Sequence, residues 1–330
     1  MKALLCLLAL LVAGLAAHCQ SPPLIPAHDP VLIRQNGTYY MFGTGKGITV
    51  WSSRDRQTWK PEKPVFASAP AWAVQAVPGF RDNHIWAPDI SYHDGLYYLF
   101  YSISAFGKNT SCIGLAVNKT LDASAPNYKW EDKGPVIQSV PGRDMWNAID
   151  PNLVRDEAGK PWLSFGSFWD GIKLVQLRAD LTGPAQPEQW RTLARRPRNP
   201  ALTDSLPGDG AIEAPFIFRK GGYYYLFTSF DYCCRGPEST YKMVVGRAKS
   251  LTGPYLDQAG KSLEQGGGTL VLEGNKSWFG VGHNSVYTFD NADYLVFHGY
   301  DATDKGRSKL RIESLSWDAQ GWPVVKHAVK

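Results

Sequence analysis

No block of lysine and arginine in this 330-residue chain is dense enough to line a nucleic-acid groove, and the formal net charge is only +5. The four arginines between Arg191 and Arg198 lie in a proline-rich connection and read as a solvated loop. Charged residues are sparse at 20%, which excludes long disordered tails. After residue 17 no apolar run is long enough to span a bilayer, so no membrane span is expected. Cysteine is scarce too. Of the five, Cys6 and Cys19 sit at the amino terminus, leaving Cys112, Cys233 and Cys234, an odd number that implies no disulfide framework. The adjacent Cys233 and Cys234 could bridge only through a strained turn. Without a second CxxC or a histidine cluster they read as buried structural thiols.

Several kinds of chemistry are missing as well. No Ser-His-Asp or Cys-His pattern stands out, and Gly266-Gly267-Gly268 precedes no helix that could cradle a phosphate. No Asp-rich loop of the EF-hand type appears. Sustained 3.6-residue periodicity is absent outside the start of the chain, which excludes a helical architecture.

What the chain has in quantity is aromatic residues: 12 Trp, 16 Tyr and 14 Phe, within a hydrophobic share of 44%. They recur in a pattern. His28-Asp29-Pro30-Val31-Leu32 runs into Tyr39-Tyr40-Met41-Phe42, and Ala87-Pro88-Asp89-Ile90 into Tyr97-Tyr98-Leu99-Phe100. Asn147-Ala148-Ile149-Asp150-Pro151-Asn152 runs into Trp162-Leu163-Ser164-Phe165, and Glu213-Ala214-Pro215-Phe216 into Tyr223 to Phe227. Gly282-His283-Asn284-Ser285-Val286 runs into Tyr294 to Phe297. The leading polar groups, taken as Asp29, Asp89, Asp150, Glu213 and His283, stand about 60 to 70 residues apart. Asn36-Gly37, Asp94-Gly95 and Gly221-Gly222 between aromatic runs are hairpin signals. Some four strands per unit, five times over, predict an all-β, five-bladed β-propeller. A β-sandwich is the alternative, but it gives no reason for a polar group at the head of each unit. In a propeller the innermost strand starts at the channel, and its leader faces the axis.

Met1-Lys2 followed by apolar residues 3–17 reads as a cleaved secretory signal, cut after Ala17 or Cys19. A lipoprotein signal at Cys19 is disfavoured by His18. The expectation is export to the periplasm or medium, with residues 20–330 forming one propeller that works as a monomer.

Carboxylates converging at one end of a channel shift each other's pKa values apart. Glycoside hydrolysis needs this, with one carboxyl protonated for the leaving oxygen and another ionised for water. Glu213, in an apolar setting, is the expected raised acid, Asp29 the expected base, and Asp150 lies between them. His283 is expected to face the channel, where an ion held by it and waters would tune the acids. Sugars need aromatic faces, and Trp86, Trp146, Phe106-Gly107 and Phe168-Trp169 are placed near the mouth. Trp59, Trp130 and Trp190 recur late in blades and read as packing between blades.

These motifs resemble glycoside hydrolase family 43, and Gly166-Ser167-Phe168-Trp169-Asp170-Gly171, Phe230-Asp231-Tyr232-Cys233-Cys234-Arg235-Gly236 and Gly282-His283-Asn284-Ser285-Val286 resemble its endo-1,5-α-L-arabinanases. The likeness covers nearly all of residues 25–325. It implies an inverting mechanism with Asp29 as general base, Glu213 as general acid and Asp150 as the group that raises and orients the donor. It implies a central ion, Ca²⁺, on His283, and substrate contacts at His28, Trp86, Phe106, Gly107, Asn147, Ser167, Phe168 and Trp169. The substrate would be linear or debranched arabinan. An exo-acting arabinofuranosidase or β-xylosidase on the same fold, and a non-catalytic carbohydrate-binding propeller, are the competing readings.

Overall fold

A computed structural model describes residues 24–326, so the secretory signal and the question of Cys19 lie outside the described residues. Five antiparallel sheets follow one another along the chain. Blade I comprises Val31–Gln35, Thr38–Gly43, Thr49–Ser53 and Lys60–Pro61. Blade II comprises His84–His93, Leu96–Ile103, Ser111–Asn118 and Glu131–Ser139, with Gly45–Lys46 added against its first strand. Blade III is Asn152–Arg155, Pro161–Phe165, Ile172–Gln176 and Trp190–Ala194, and blade IV is Ile212–Lys220, Tyr223–Phe230, Lys242–Ala248 and Thr269–Glu273. Blade V is Trp278–Phe289, Ala292–Asp301, Arg307–Trp317 and Pro323–Val325. The first strands touch one another in this order, and that of blade V touches that of blade I, which makes the molecule a five-bladed β-propeller.

The hairpins form where the sequence supplies residues tolerant of positive φ. Asn36 and Gly37 stand at +48° and +75°, and Asp94 and Gly95 at +50° and +77°. Both central residues of a type I′ turn need that region, whose twist matches the flanking strands. Asp290-Asn291 makes the corresponding turn in blade V at +52° and +64°.

Aromatic and branched side chains from facing sheets fill the gaps between blades. Phe100, Ile113, Leu163, Phe165 and Val175 lie between blades II and III. Phe227, Met243, Val286, Leu295 and Phe297 lie between IV and V. Trp130 meets Phe42 at 6.0 Å, and Trp190 meets Phe165 at 5.9 Å, as expected of packing residues. Trp146 joins that layer, 5.4 Å from both Phe165 and Trp190, so it packs between blades and does not serve as the sugar platform expected of it.

The ring closes on blade V from both ends of the described chain. Leu310 N–H donates to Ile25 C=O at 3.0 Å, and Pro26 bridges Lys309, while Pro323–Val325 pairs along the later part of the same strand.

The heads of the blades correct the register read from the acids. Asp29, Ala87, Asp150, Ala214 and His283 hold φ of +51°, +38°, +59°, +56° and +51°. They are the equivalent positions, with proline next in four of them. Glu213 stands one residue before its head, and Asp89 two residues after. Ladder irregularities at Trp86/Asp89, Glu213/Phe216 and Gly282/Ser285 mark bulges that re-aim the local side chains. A left-handed non-glycine residue costs about 1–2 kcal/mol, so each head needs support. The preceding blade provides it by accepting the head's N–H. Ala87 donates to Thr44 Oγ1 at 2.7 Å, Asp150 to Ser102 Oγ at 3.1 Å, His283 to Ser229 Oγ at 2.9 Å and Asp29 to His298 Nδ1 at 3.1 Å. Ala214 donates to Asp150 Oδ2 at 3.1 Å.

Asp89 therefore does not face the channel. It is buried, accepts Leu153 N–H from blade III at 2.7 Å, and burial pushes its pKa up to about 6. Asp89→Ala strands that N–H and should cost about 1–3 kcal/mol of stability while kcat stays near wild type. Because the folded value exceeds the free value of 3.8, the fold favours the protonated acid, and that contribution declines as pH rises from 3.8 through about 6. Asp89→Asn keeps an acceptor without the charge, so its melting temperature should gain on wild type across that window. An inactive Asp89→Ala with unchanged melting would return this acid to the channel.

Candidate active site

Asp29 is a carboxylate enclosed by imidazoles. Its side chain is 9% exposed, with His28 Nδ1 at 2.8 Å and His283 Nδ1 at 2.9 Å from Oδ1, and His298 Nδ1 at 3.7 Å. The His28 nitrogen lies off the line of a directed hydrogen bond, so this contact acts mainly through charge. Thr44 donates its hydroxyl to Oδ2, and the same oxygen of Thr44 receives Ala87 N–H, which fixes the rotor. Burial opposes the charge on Asp29, yet His28 and His283 together hold its pKa well below the usual carboxylate value. His298 is fully buried and accepts the Asp29 amide at Nδ1. Burial and the neighbouring His28 hold it well below 6.5, so it stays neutral.

His283 is the positive partner. Burial works against its charge, but Asp29 and then Asp150 raise its pKa to about 9. Its side chain is 14% exposed, and with Nδ1 on Asp29 its Nε2 makes no hydrogen bond among the described residues. In its neutral form, with Nδ1–H on the carboxylate and Nε2 bare, the same imidazole has the arrangement of a metal-ligating histidine, so a proton and an ion on Nε2 are alternatives. Ca²⁺ prefers about six to eight oxygens. The residues therefore fit an ion held by one imidazole and otherwise by water, and do not fit a cage of protein ligands.

Asp150 and Glu213 form the second half of the site. Asp150 is buried at the head of blade III. Burial raises its pKa to about 8, with His283 opposing and the charges of Glu213 and Asp29 adding to the rise. Asp150 is the deeper of the two carboxyls. Glu213 is half-buried at the start of Ile212–Lys220. Ser167 donates to its Oε2 at 2.8 Å and Tyr241 to its Oε1 at 2.8 Å. Burial and the nearby Glu213 push the Tyr241 phenol well above 10, so it remains a donor. Gly282 makes room for that ring, since a Cβ there would meet Tyr241 at 2.1 Å.

The expected sugar contacts divide. His28, at 25% side-chain exposure, opens toward the channel beside the base. Phe106 is 81% exposed, next to Gly107 at φ +69°, on the loop after Leu96–Ile103. An aromatic ring left so open suits stacking on a sugar. Phe168, half-buried, meets Tyr232 at 6.0 Å. Trp86 is half-buried at its bulge. Asn147 is buried with its amide oxygen unpartnered. Ser167 and Trp169 face inward. Ser167 holds Glu213, and Trp169 is 3% exposed with its indole N–H on Asp204 C=O at 2.8 Å, so it buttresses the loop and offers sugar no face. Sequence reading passed over Thr44, Tyr241, His298 and Tyr300. It also misread Cys233 and Cys234, which are joined as a disulfide with Cys234 exposed.

The comparisons agree with this geometry. A model of Glycosyl hydrolases family 43 matches residues 23–323. An extracellular exo-α-(1→5)-L-arabinofuranosidase of Cellvibrio japonicus is 54% identical over 96% of this chain and 90% of its own. An extracellular endo-α-(1→5)-L-arabinanase of Bacillus subtilis is 44% identical over 90% of this chain and 86% of its own. The structure of an α-L-arabinanase of Cellvibrio cellulosa complexed with arabinohexaose superposes with a TM-score of 0.91 at 54% identity, covering 92% of this chain and 96% of that one.

Asp29 lies below its free value of 3.8 because of His28 and His283, so the charged form persists into acid. In His283→Gln the acidic limb of log(kcat/KM) against pH should move up. The stability His283 contributes is present below its free value of 6.5 and lost as pH rises through about 9, so the melting gap between wild type and variant should narrow over that range. A variant with lower melting but an unmoved limb would reduce His283 to packing.

Proposed function

The chain belongs to glycosyl hydrolases family 43, and on that footing we propose that it hydrolyses 1,5-α-L-arabinofuranosidic linkages of arabinan with inversion. One observation supports this above the others. Asp29 is a carboxylate kept ionised by imidazoles, while Asp150, behind Glu213, keeps a proton to about pH 8. Asp29 takes a proton from water as its oxygen attacks the anomeric carbon. Glu213, the acid open to the cleft, gives a proton to the departing 5-oxygen from the opposite face. Asp150 accepts Ala214 N–H, one residue from Glu213, and so sets the place of the donor. The Ser167 hydroxyl is free to rotate when Glu213 carries its proton, so the same contact serves both states. A cation on His283 Nε2, Ca²⁺ in the expectation from the family, would supply positive charge that favours ionised acids.

Attack within the chain is the reading from the motifs, and the Bacillus relative supports it. Release from a chain end is the second reading, favoured by the higher identity to the Cellvibrio exo-enzyme. Both relatives are extracellular, which supports export.

Asp29→Asn and Glu213→Gln should each lower kcat by about 10²–10⁴-fold with melting preserved. On linear arabinan, endo attack gives a fast viscosity fall and short oligomers, whereas exo attack gives small products with little early loss of viscosity. NMR of the first product should show the inverted anomer. A retained anomer, or full turnover in either variant, would overturn the assignment.

A further inference from the structure

The loop between Tyr223–Phe230 and Lys242–Ala248 of blade IV reaches across the channel mouth to blades V and I. Its base is anchored by Asp231, paired with Arg196 at 2.6 Å and Lys242 at 2.9 Å. Arg235 lies over the Tyr232 ring at 3.9 Å. At the tip, Cys233 and Cys234 are bonded to each other, and Cys234 holds φ +66°. That conformation is unfavourable for a residue with a side chain, and the small ring closed by the disulfide keeps it in place.

The consequence reaches the base in three contacts. Cys234 N–H donates to the Tyr300 hydroxyl at 2.7 Å. The Tyr300 oxygen stands 3.2 Å from His28 Nε2 and holds that edge of the imidazole. On the opposite side of the ring His28 Nδ1 lies 2.8 Å from Asp29 Oδ1. The His28 ring is stacked on His298 at 4.0 Å between ring centres, so it cannot tilt freely. Tyr300 is itself buried, and no other backbone donor reaches its hydroxyl among the described residues.

We propose that the Cys233–Cys234 disulfide is a positioning element for the reaction: by fixing the Cys234 amide on Tyr300 it orients His28, and through His28 the Asp29 carboxylate. This rests on Asp29 being the base. Cys234 Sγ, 3.7 Å from His28 Nε2, also closes the outer side of the imidazole. Opening the bridge frees Cys234 to leave the left-handed region, which withdraws its N–H and leaves Tyr300 free to turn from His28.

The test is a double-mutant cycle on the intact enzyme. The Cys233→Ser/Cys234→Ser variant should lose kcat by about tenfold with KM nearly unchanged, since misplacing a reacting group costs rate more than binding. Tyr300→Phe alone should show a similar loss, and adding it to the serine pair should cost little more, because both act through one chain of contacts. Treating wild type with a phosphine, which becomes its oxide as water supplies the oxygen and the two thiol protons, should reproduce the kcat loss. The serine pair should be indifferent to the reagent. A rise in KM with kcat intact would make the disulfide a wall of the cleft, and fully additive losses would break the link through Tyr300. Either result overturns the proposal. Asp29→Asn separates the two readings. If it is inactive while the serine pair is normal, the base stands and only the positioning role falls; if it is active, the base assignment itself fails.

Discussion

A buried carboxylate among imidazoles is the contact on which the rest of this molecule depends. Ionised Asp29 could not persist away from water without compensation, and the compensation comes from both ends of the ring. His28 precedes it in blade I, while His283 belongs to blade V. The full compensation of the Asp29 charge therefore exists only when the first and last blades meet. The same meeting places Asp150 within reach of two negative groups and one positive, which separates its behaviour from that of Asp29 although both lead their blades before a proline. Two residues of one type, in one local motif, acquire opposite protonation from their neighbours alone.

The backbone device that allows this is repeated five times. A left-handed residue at each head turns a side chain toward the axis, and an acceptor on the neighbouring blade takes its amide. Where the head is alanine, the side chain itself carries no titratable group. Where it is Asp29, Asp150 or His283, the supporting bond also aims a titratable group. Strain and chemistry occupy the same positions, since a conformation that must be held from outside is also one held rigidly.

The propeller was legible because its signals are local: aromatic strands, positive-φ turn pairs and a regular period. So were Asp29, Asp150, Glu213 and His283 as channel residues. The slip at Asp89 came from counting the period from acids. Counting from the proline that follows Asp29, Ala87, Asp150 and Ala214 aligns four heads and leaves Asp89 two places beyond. Tyr241, His298 and Tyr300 were hidden for another reason. They sit in or beside apolar strands, where a polar side chain reads as an interruption, and only the crossing of blades shows what each one faces. Thr44 was invisible as one hydroxyl among many. The Cys233–Cys234 bond defied a sound general preference for separated partners, and its place over His28 depends on a loop that spans three blades.

The pairing of residues 25–27 with the third strand of blade V has a temporal consequence. A chain emerging from the ribosome makes Asp29 early and waits for nearly its whole length before His283, His298 and Tyr300 exist. Until then the ring has two open flanks, and Asp29 and His28 lack the partners that blade V brings them. The surroundings of Asp29 are thus completed only at the end of synthesis, and fragments that stop short of the last blade are born without them.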